Sequence, residues 1–318
     1  MINRGSLLRL SLLALVWGSS FLWIKLALRS LSPVQIVLVR LALGALVLLV
    51  FCRLRGLALP RGARRWSHLA VAALVANSVP YLLFAVGERT VDSSLAGVLN
   101  TTTPLWTITI GLAAQQERRV GGARGTGLVV GFAGALLVLS PWHATADVWG
   151  ALACLGAALC YGIAYVYTGR YLSGWGVNPV AMVAGQLVAA TALMAVVTPL
   201  AGTQPIHPRA DALVGLAILG VLGTGIAYAL NYRLVIDDGP TAASTVTYLL
   251  PVVSVLLGVA FLHEVLSFHV AVGLVLALLG VAMTRRRPPQ PKPEPAPEPA
   301  PEAQAPQPVT PGSARRWR

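Results

Sequence analysis

The sequence predicts an all-α polytopic membrane protein of ten transmembrane helices, arranged as two inverted five-helix repeats. Three observations carry that prediction. Its 318 residues are 56% hydrophobic and only 11% charged, whereas soluble domains usually carry about a quarter of their residues as charges. Apolar runs of membrane-crossing length recur along the chain. Finally, shifting the sequence by 147 positions lays Tyr81 on Tyr228, Ala96 on Ala243, Pro104 on Pro251, Gly111 on Gly258 and Glu117 on Glu264, without a gap.

A helix needs about 20 residues to cross roughly 30 Å of hydrocarbon. On that ruler the spans fall at 7–28, 34–52, 67–87, 93–115, 124–141, 148–169, 179–200, 211–233, 240–262 and 267–284. Leu31-Ser32-Pro33, Gly121-Gly122, Asn178-Pro179 and Asp238-Gly239-Pro240 punctuate the predicted helix ends. Arg4 and Arg9 precede the first run as in a signal peptide, but no small-x-small cleavage site follows and Trp17, Trp23 and Lys25 interrupt it, so a retained helix is expected.

The formal charge of +13 raises the question of nucleic acid. Positions answer it. With a cytoplasmic N-terminus, fifteen Arg fall in the inner segments, among them Arg53, Arg55, Arg118, Arg119, Arg170 and Arg285, against Arg29, Arg89 and Arg209 outside. This positive-inside bias places both termini in the cytoplasm, with the charge spread along one rim of a membrane protein and no basic nucleic-acid face. Cys52, Cys154 and Cys160 lie in or beside apolar runs and read as small core residues, neither a disulfide framework nor a metal site. Beyond Arg287, Pro-x-Pro repeats with Glu294, Glu298 and Glu302 describe a disordered, polyproline-II-prone tail.

The duplication extends past the fourth run. Pro33 aligns with Pro179 and Arg40 with Gln186 at a shift of 146, Gly127 with Gly273 and Gly134 with Gly280 at the same shift, and Trp17-Gly18 with Tyr161-Gly162 at 144. The units are 1–143 and 144–286, followed by the tail at 287–318. Because five is odd, a first unit that starts inside ends outside, and the second must run with opposite topology. Inverted repeats place a substrate site near the midplane and expose it alternately to either side.

With Trp17-Gly18-Ser19-Ser20-Phe21, Pro33 and Arg40, Leu95-Ala96 through Pro104 to Glu117, and their partners Tyr161-Gly162, Ala242-Ala243 through Pro251 to Glu264 and Gly273 to Gly280, the chain resembles the EamA family of the drug/metabolite transporter superfamily. The resemblance implies a ten-helix carrier of the cytoplasmic (inner) membrane, often an exporter of amino acids or related metabolites, with a multidrug or cation exporter as the alternative.

Candidate site residues follow from polarity inside apolar spans. Pro104 and Pro251 remove backbone donors in mid-span and are expected to kink their helices. Around them lie Asn100, Thr103 and Trp106, and in the second copy Thr247 and Tyr248. The third and eighth spans add Asn77, Tyr81, Tyr228, Asn231 and Tyr232. Such groups either bind helices together or line a wet cavity. Arg40 and Lys25 are candidates for gating or charge recognition. An unpaired cation at the depth of Arg40 costs several kcal/mol, so it must meet water, a carboxylate such as Glu88 or Asp92, or an anionic part of the substrate. Lys25 lies near the surface and can snorkel outward.

No Asp or Glu falls in the middle of a span, so proton coupling through a membrane-buried carboxylate has no obvious residue. Glu117 and Glu264, at helix ends, suit loop anchoring. His263-Glu264 followed by His269 misses the one-turn HExxH spacing of a metalloprotease, and no charge rings or filter repeats suggest a channel. The expected partners are a small-molecule substrate and lipid; no cofactor or metal is implied, and the oligomeric state does not follow.

Overall fold

The computed structural model describes residues 4–115, 122–139, 147–243 and 246–284, and they form helices and connecting turns without a strand. One compact unit holds the described residues, within Met1–Arg286, and Arg287–Arg318 lies outside the described residues. Among the described residues six stretches are long and apolar enough to cross a membrane: Leu7–Ala27, Pro33–Leu54, Ala63–Gly87, Val148–Tyr171, Pro179–Ala201 and Ala210–Asp237. Gly125–Val138, Leu249–Leu262 and Phe268–Met283 are shorter apolar helices.

The first stretch is two helices, α1 (Arg4–Gly18) and α2 (Ser20–Ala27). Gly18 lies so close to the next layer that a Cβ there would meet Val253 Cβ at 2.6 Å. The Ser19 and Ser20 hydroxyls donate to Val16 O at the break, at 3.1 and 3.3 Å. Helix α3 (Pro33–Leu54) starts from a complete capping box, with Gln35 N donating to Ser32 Oγ and Ser32 N to Gln35 Oε1. Gln35 Nε2 also donates to Gly202 O and Gln204 O, tying this end to the segment after α10 (Pro179–Ala201).

Helices α4 (Ala63–Ala73) and α5 (Val79–Gly87) are joined by a π-helical turn, Leu74–Ser78. The predicted fourth span is divided into α6 (Ser93–Asn100) and α7 (Thr103–Ala113), with Pro104 in the first turn of α7, where its missing N–H costs least. Thr101 and Thr102 Oγ1 donate to Val98 O and Leu99 O at 2.7 and 2.8 Å, satisfying carbonyls at the interruption. Pro251, by contrast, lies inside an undivided α13 (Val246–Leu262).

The remaining elements are α8 (Gly122–Leu139), α9 (Asp147–Tyr171), α11 (Ala210–Ala217), a second π-helical stretch at Ile218–Ile226, α12 (Ala227–Ala243) and α14 (Phe268–Thr284). One sequence expectation is corrected here. The chain was expected to turn at Asp238-Gly239-Pro240, yet α12 continues to Ala243. Proline's φ of about −65° is itself helical, so near a helix end it removes one hydrogen bond without forcing a turn.

The spans are buried on one side only. Leu13, Ile36, Leu41, Leu48, Leu99, Leu105, Leu187 and Leu219 face inward, while Leu46, Val129, Val196 and Leu256 are more than half exposed. Helices apolar on both faces suit a lipid surround, not water. Within the bundle α3 packs on α10 and on the second π-helical stretch, α9 on α5 and α7, and α1 on α13. The α8/α14 pair is the closest to backbone contact. A Cβ on Gly134 would lie 2.7 Å from both Gly273 O and Ala277 N, and one on Gly280 would strike the Gly131 backbone.

Glu264, just past α13, receives the N–H groups of Ser93 and Ser94 at 2.7 and 2.9 Å. It therefore caps the start of α6 from another part of the chain, in agreement with an anchoring role; Glu117 lies outside the described residues.

Gly280→Val is expected to destabilise the protein by about 1–3 kcal/mol, because the obstructing atoms are backbone and cannot yield. The control Gly169→Ala, a helical position where a Cβ meets nothing within 4 Å, should be stabilising by about 0.5–1 kcal/mol. Thermal unfolding of the detergent-purified variants checks both. Glu264→Ala should cost about 1–2 kcal/mol through loss of a charged cap, and hydrogen exchange at Ser93 and Ser94 should accelerate selectively.

Candidate functional site

The polar side chains in the middle of the bundle gather where the π-helical stretches meet the neighbouring helices. In a π turn the backbone bond reaches back five residues, and Thr224 Oγ1 follows the same path, donating to Leu219 O at 2.9 Å. The hydroxyl oxygen then accepts from Arg40 Nε at 3.1 Å. Gly44 makes this approach possible, since a Cβ there would be 2.9 Å from Thr224 Cβ. On the other flank Gln186 Nε2 of α10 donates to Asn77 Oδ1, in the first π-helical turn, at 2.6 Å. Arg40 and Gln186 are 146 positions apart and Asn77 and Thr224 are 147 apart, so one type of bridge is made twice, between aligned residues.

Arg40 is 7% exposed and its guanidinium carbon stands 3.8 Å from the centre of the Tyr81 ring, a cation–π geometry. Tyr161, from α9, lies near both Tyr81 and Arg40, and Tyr228, from α12, lies near Tyr81 and Tyr161. Trp17 meets Tyr228 edge-on at 6.0 Å, and Phe84 meets Tyr161 at 6.1 Å. The guanidinium thus stacks on Tyr81 within a cluster of aromatic rings contributed by α1, α5, α9 and α12.

Sequence reasoning named Glu88 and Asp92 as partners for Arg40, but Arg40 forms no ion pair among the described residues. Geometry explains this for Glu88: it follows Tyr81 by seven residues, about 10 Å along the helix axis, while Arg40 is held at Tyr81 and Thr224. The Nη groups of Arg40 make no hydrogen bond to described residues and are not sealed from solvent.

The other predicted positions separate into distinct surroundings. Lys25 does not snorkel free: its ammonium donates to Glu88 O and Val91 O, each at 2.7 Å, and closes the carbonyl end of α5. Asn77 is fully buried and joined to Gln186, so it ties helices together. Asn100 Oδ1 accepts from Thr103 Oγ1 at 3.3 Å. Trp106 packs edge-on against Phe132 at 4.8 Å, and its Nε1 is buried without a partner among the described residues. Tyr232 accepts from Asn178 Nδ2 at 2.6 Å, at the start of α10. Asn231 and Thr247 are half-buried, and the side chain of Tyr248 lies outside the described residues.

The structure thus brings together Arg40, Tyr81 and Tyr228 and adds Thr224, Tyr161 and Trp17. The repeat offset pointed to all three additions: Thr224 is the counterpart of Asn77, and Tyr161 and Trp17 are counterparts of each other. Glu88 was also underestimated, because a residue between two spans proves to be 0% exposed. Among the described residues no cluster of His, Cys, Asp or Glu could hold a metal ion.

Comparison with known proteins places this arrangement. The model of the EamA-like transporter family matches twice, over residues 5–140 and 148–286. Similar proteins include the "uncharacterized inner membrane transporter YedA" of Escherichia coli, 28% identical over 80% of this chain and 82% of the relative. The "uncharacterized transporter YdfC" of Bacillus subtilis is 25% identical over 86% of this chain and 89% of the relative. A "WAT1-related protein" of Arabidopsis thaliana is 23% identical, over 83% and 66% respectively. A solved crystal structure shares the fold, with a TM-score of 0.61 and 21% identity over 88% of this chain and 97% of that one. With the family model matched across both halves, the chain belongs to the EamA-like transporter family and is a membrane transporter.

Proposed function

We propose that this chain is a secondary carrier, working by alternating access, for a small metabolite that bears a carboxylate, such as an amino acid or a related compound. It crosses the cytoplasmic membrane ten times as two inverted five-helix units, 1–143 and 144–286, and residues 287–318 form a Pro-rich cytoplasmic tail. The E. coli relative is named for the inner membrane, and the Arg distribution favours cytoplasmic termini. Export is the direction that the family resemblance implies.

Three features support the two-unit reading. The family model matches each half separately. Both halves carry a π-helical stretch at aligned positions, Leu74–Ser78 and Ile218–Ile226. The packing is reciprocal as well: α3 meets the second stretch as α10 meets the first, and α1 meets α13 as α9 meets α7. On this reading the cluster of Arg40, Tyr81, Tyr161 and Tyr228 lies between the units, where a substrate is reached from either side in turn.

The observation that carries the substrate class is Arg40. It is buried, fixed at Nε by Thr224 and at its face by Tyr81, and has no carboxylate partner among the described residues. The costs of a buried guanidinium are offset when it accepts an anion through its remaining donors, which suit the two oxygens of a carboxylate. The surrounding rings favour a substrate with an apolar or planar body. A cation exporter would need a negative charge at this place.

In a thermal-shift screen of the detergent-purified protein against amino acids, nucleosides, vitamins and cationic drugs, carboxylate-bearing compounds should stabilise the wild type. Arg40→Gln should weaken their binding about 10- to 100-fold, the equivalent of about 1.5–3 kcal/mol for a charged hydrogen bond. Binding that survives the substitution unchanged, or a response confined to cations, would remove Arg40 from recognition. Saturable counterflow in proteoliposomes would separate a carrier from a channel.

A further inference from the structure

At one end of the bundle, α2, α5 and the segment after α13 surround a cavity of about 370 Å³ bordered by Lys25, Arg29, Glu88, Arg89, Asp92 and Glu264. Glu264 is held by the Ser93 and Ser94 amides. Glu88 is in a different position. The residue is 0% exposed, and neither of its carboxyl oxygens has a hydrogen-bond partner among the described residues. Lys25 directs its ammonium to the backbone carbonyls of Glu88 and Val91 and forms no ion pair with the Glu88 carboxyl. An ionised carboxylate buried without donors is prohibitively costly, so the group takes up a proton.

The groups facing Glu88 from the packed elements are Lys25 of α2, Glu264 after α13 and Cys154 of α9, with Arg40 of α3 acting from farther away. Burial pushes this carboxyl, just past the end of its span, well above the usual carboxylate range; Lys25 opposes the shift, Glu264 adds to it and Arg40 opposes it.

The seal over Glu88 is a close helix contact. Gly87, the residue before it, lies against α9 so tightly that a Cβ would be 2.6 Å from Cys154 Sγ and 2.7 Å from Gly150 O. Separating α5 from α9 would uncover Glu88 and Cys154 together, and both are 0% exposed as the bundle stands.

We propose that Glu88 is a proton-binding site, protonated while α5 and α9 are closed at this end and releasing its proton to water when they part. The O–H bond breaks, the proton passes to a water molecule, and the carboxylate left behind faces the Lys25 ammonium in a hydrated gap. Ionisation of Glu88 therefore favours the open end and protonation the closed one. The role of such a site in a transport cycle rests on the carrier reading; its existence does not.

Cys154 serves as the reporter. With Cys52→Ala and Cys160→Ala in the full-length protein in lipid nanodiscs, alkylation of Cys154 by a polar maleimide is followed as pH rises, normalised to the rate for free cysteine. The expected result is protection in acid and a rise in normalised rate with a midpoint above the ordinary carboxylate range of about 4 to 5. Glu88→Gln should abolish the rise and keep Cys154 protected throughout. If that variant does not fold, Glu88→Asp should displace the midpoint. A wild type without the rise, a midpoint within the ordinary range, a rise that persists in Glu88→Gln, or an unmoved midpoint in Glu88→Asp would each overturn the proposal. No substrate enters this assay, so its failure leaves the Arg40 reading intact, and a failed ligand screen leaves this one intact.

Discussion

The constraint on which the structure depends is that backbone groups released inside an apolar bundle must be satisfied by the protein itself. Four places in the described residues depart from a plain α-helix: Ser19, Thr101-Thr102 and the two π-helical stretches. At three of them nearby hydroxyls donate to backbone carbonyls: Ser19 and Ser20 to Val16, Thr101 and Thr102 to Val98 and Leu99, and Thr224 to Leu219. These Ser and Thr residues are therefore committed first to their own helices. Thr224 alone among them also accepts from a distant charged side chain, Arg40.

Close approach follows from the same economy. Where helices are interrupted or widened, neighbouring backbones come near enough that only hydrogen fits in place of a side chain. Gly18 against Val253, Gly44 against Thr224, Gly87 against Cys154 and Gly162 against Trp106 are all such crossings. These contacts carry no charge, yet they determine where the charges meet. Arg40 reaches Thr224 because Gly44 lets the second π-helical stretch approach α3, and Glu88 loses its water because Gly87 lets α9 approach α5.

The apolar spans and the internal duplication were legible because both are written in residue type and spacing, and polarity inside those spans led to Tyr81, Tyr228 and Arg40. Other features were not. Helix interruption at Pro104 but not at Pro251 cannot be read from two prolines in aligned positions, because it depends on the tertiary partners that take up the freed carbonyls. The turn expected at Asp238-Gly239-Pro240 failed for a related reason: proline forbids a donor, not a helical φ. Glu88 was hidden by its place between spans. Periodicity reports which residues belong to a helix, whereas burial at a helix end depends on whatever packs over it, here Lys25 and α9. Lys25 was misread the same way, since nothing local reveals that two carbonyls at the end of α5 await its ammonium.

If the two units descend from one helix set, their scaffolds have stayed alike while their charges have not. Arg40 aligns with Gln186, Glu88 with Val235 at the 147 offset and Lys25 with Gly169 at the 144 offset. The first difference has a direct electrostatic cause. Arg40 and an arginine in place of Gln186 would place two guanidiniums in one low-dielectric core, and like charges there repel far more strongly than in water. A neutral amide that closes on Asn77 keeps the helix bridge without the repulsion. The second difference makes the ends of the bundle unequal. A carrier with a buried carboxyl at both gates would respond to protons alike from either side, whereas one with Glu88 at a single gate and Val235 at its counterpart responds at that gate alone. In the proposed carrier, symmetry of fold supplies two alternative closures, and asymmetry of charge makes them chemically distinct.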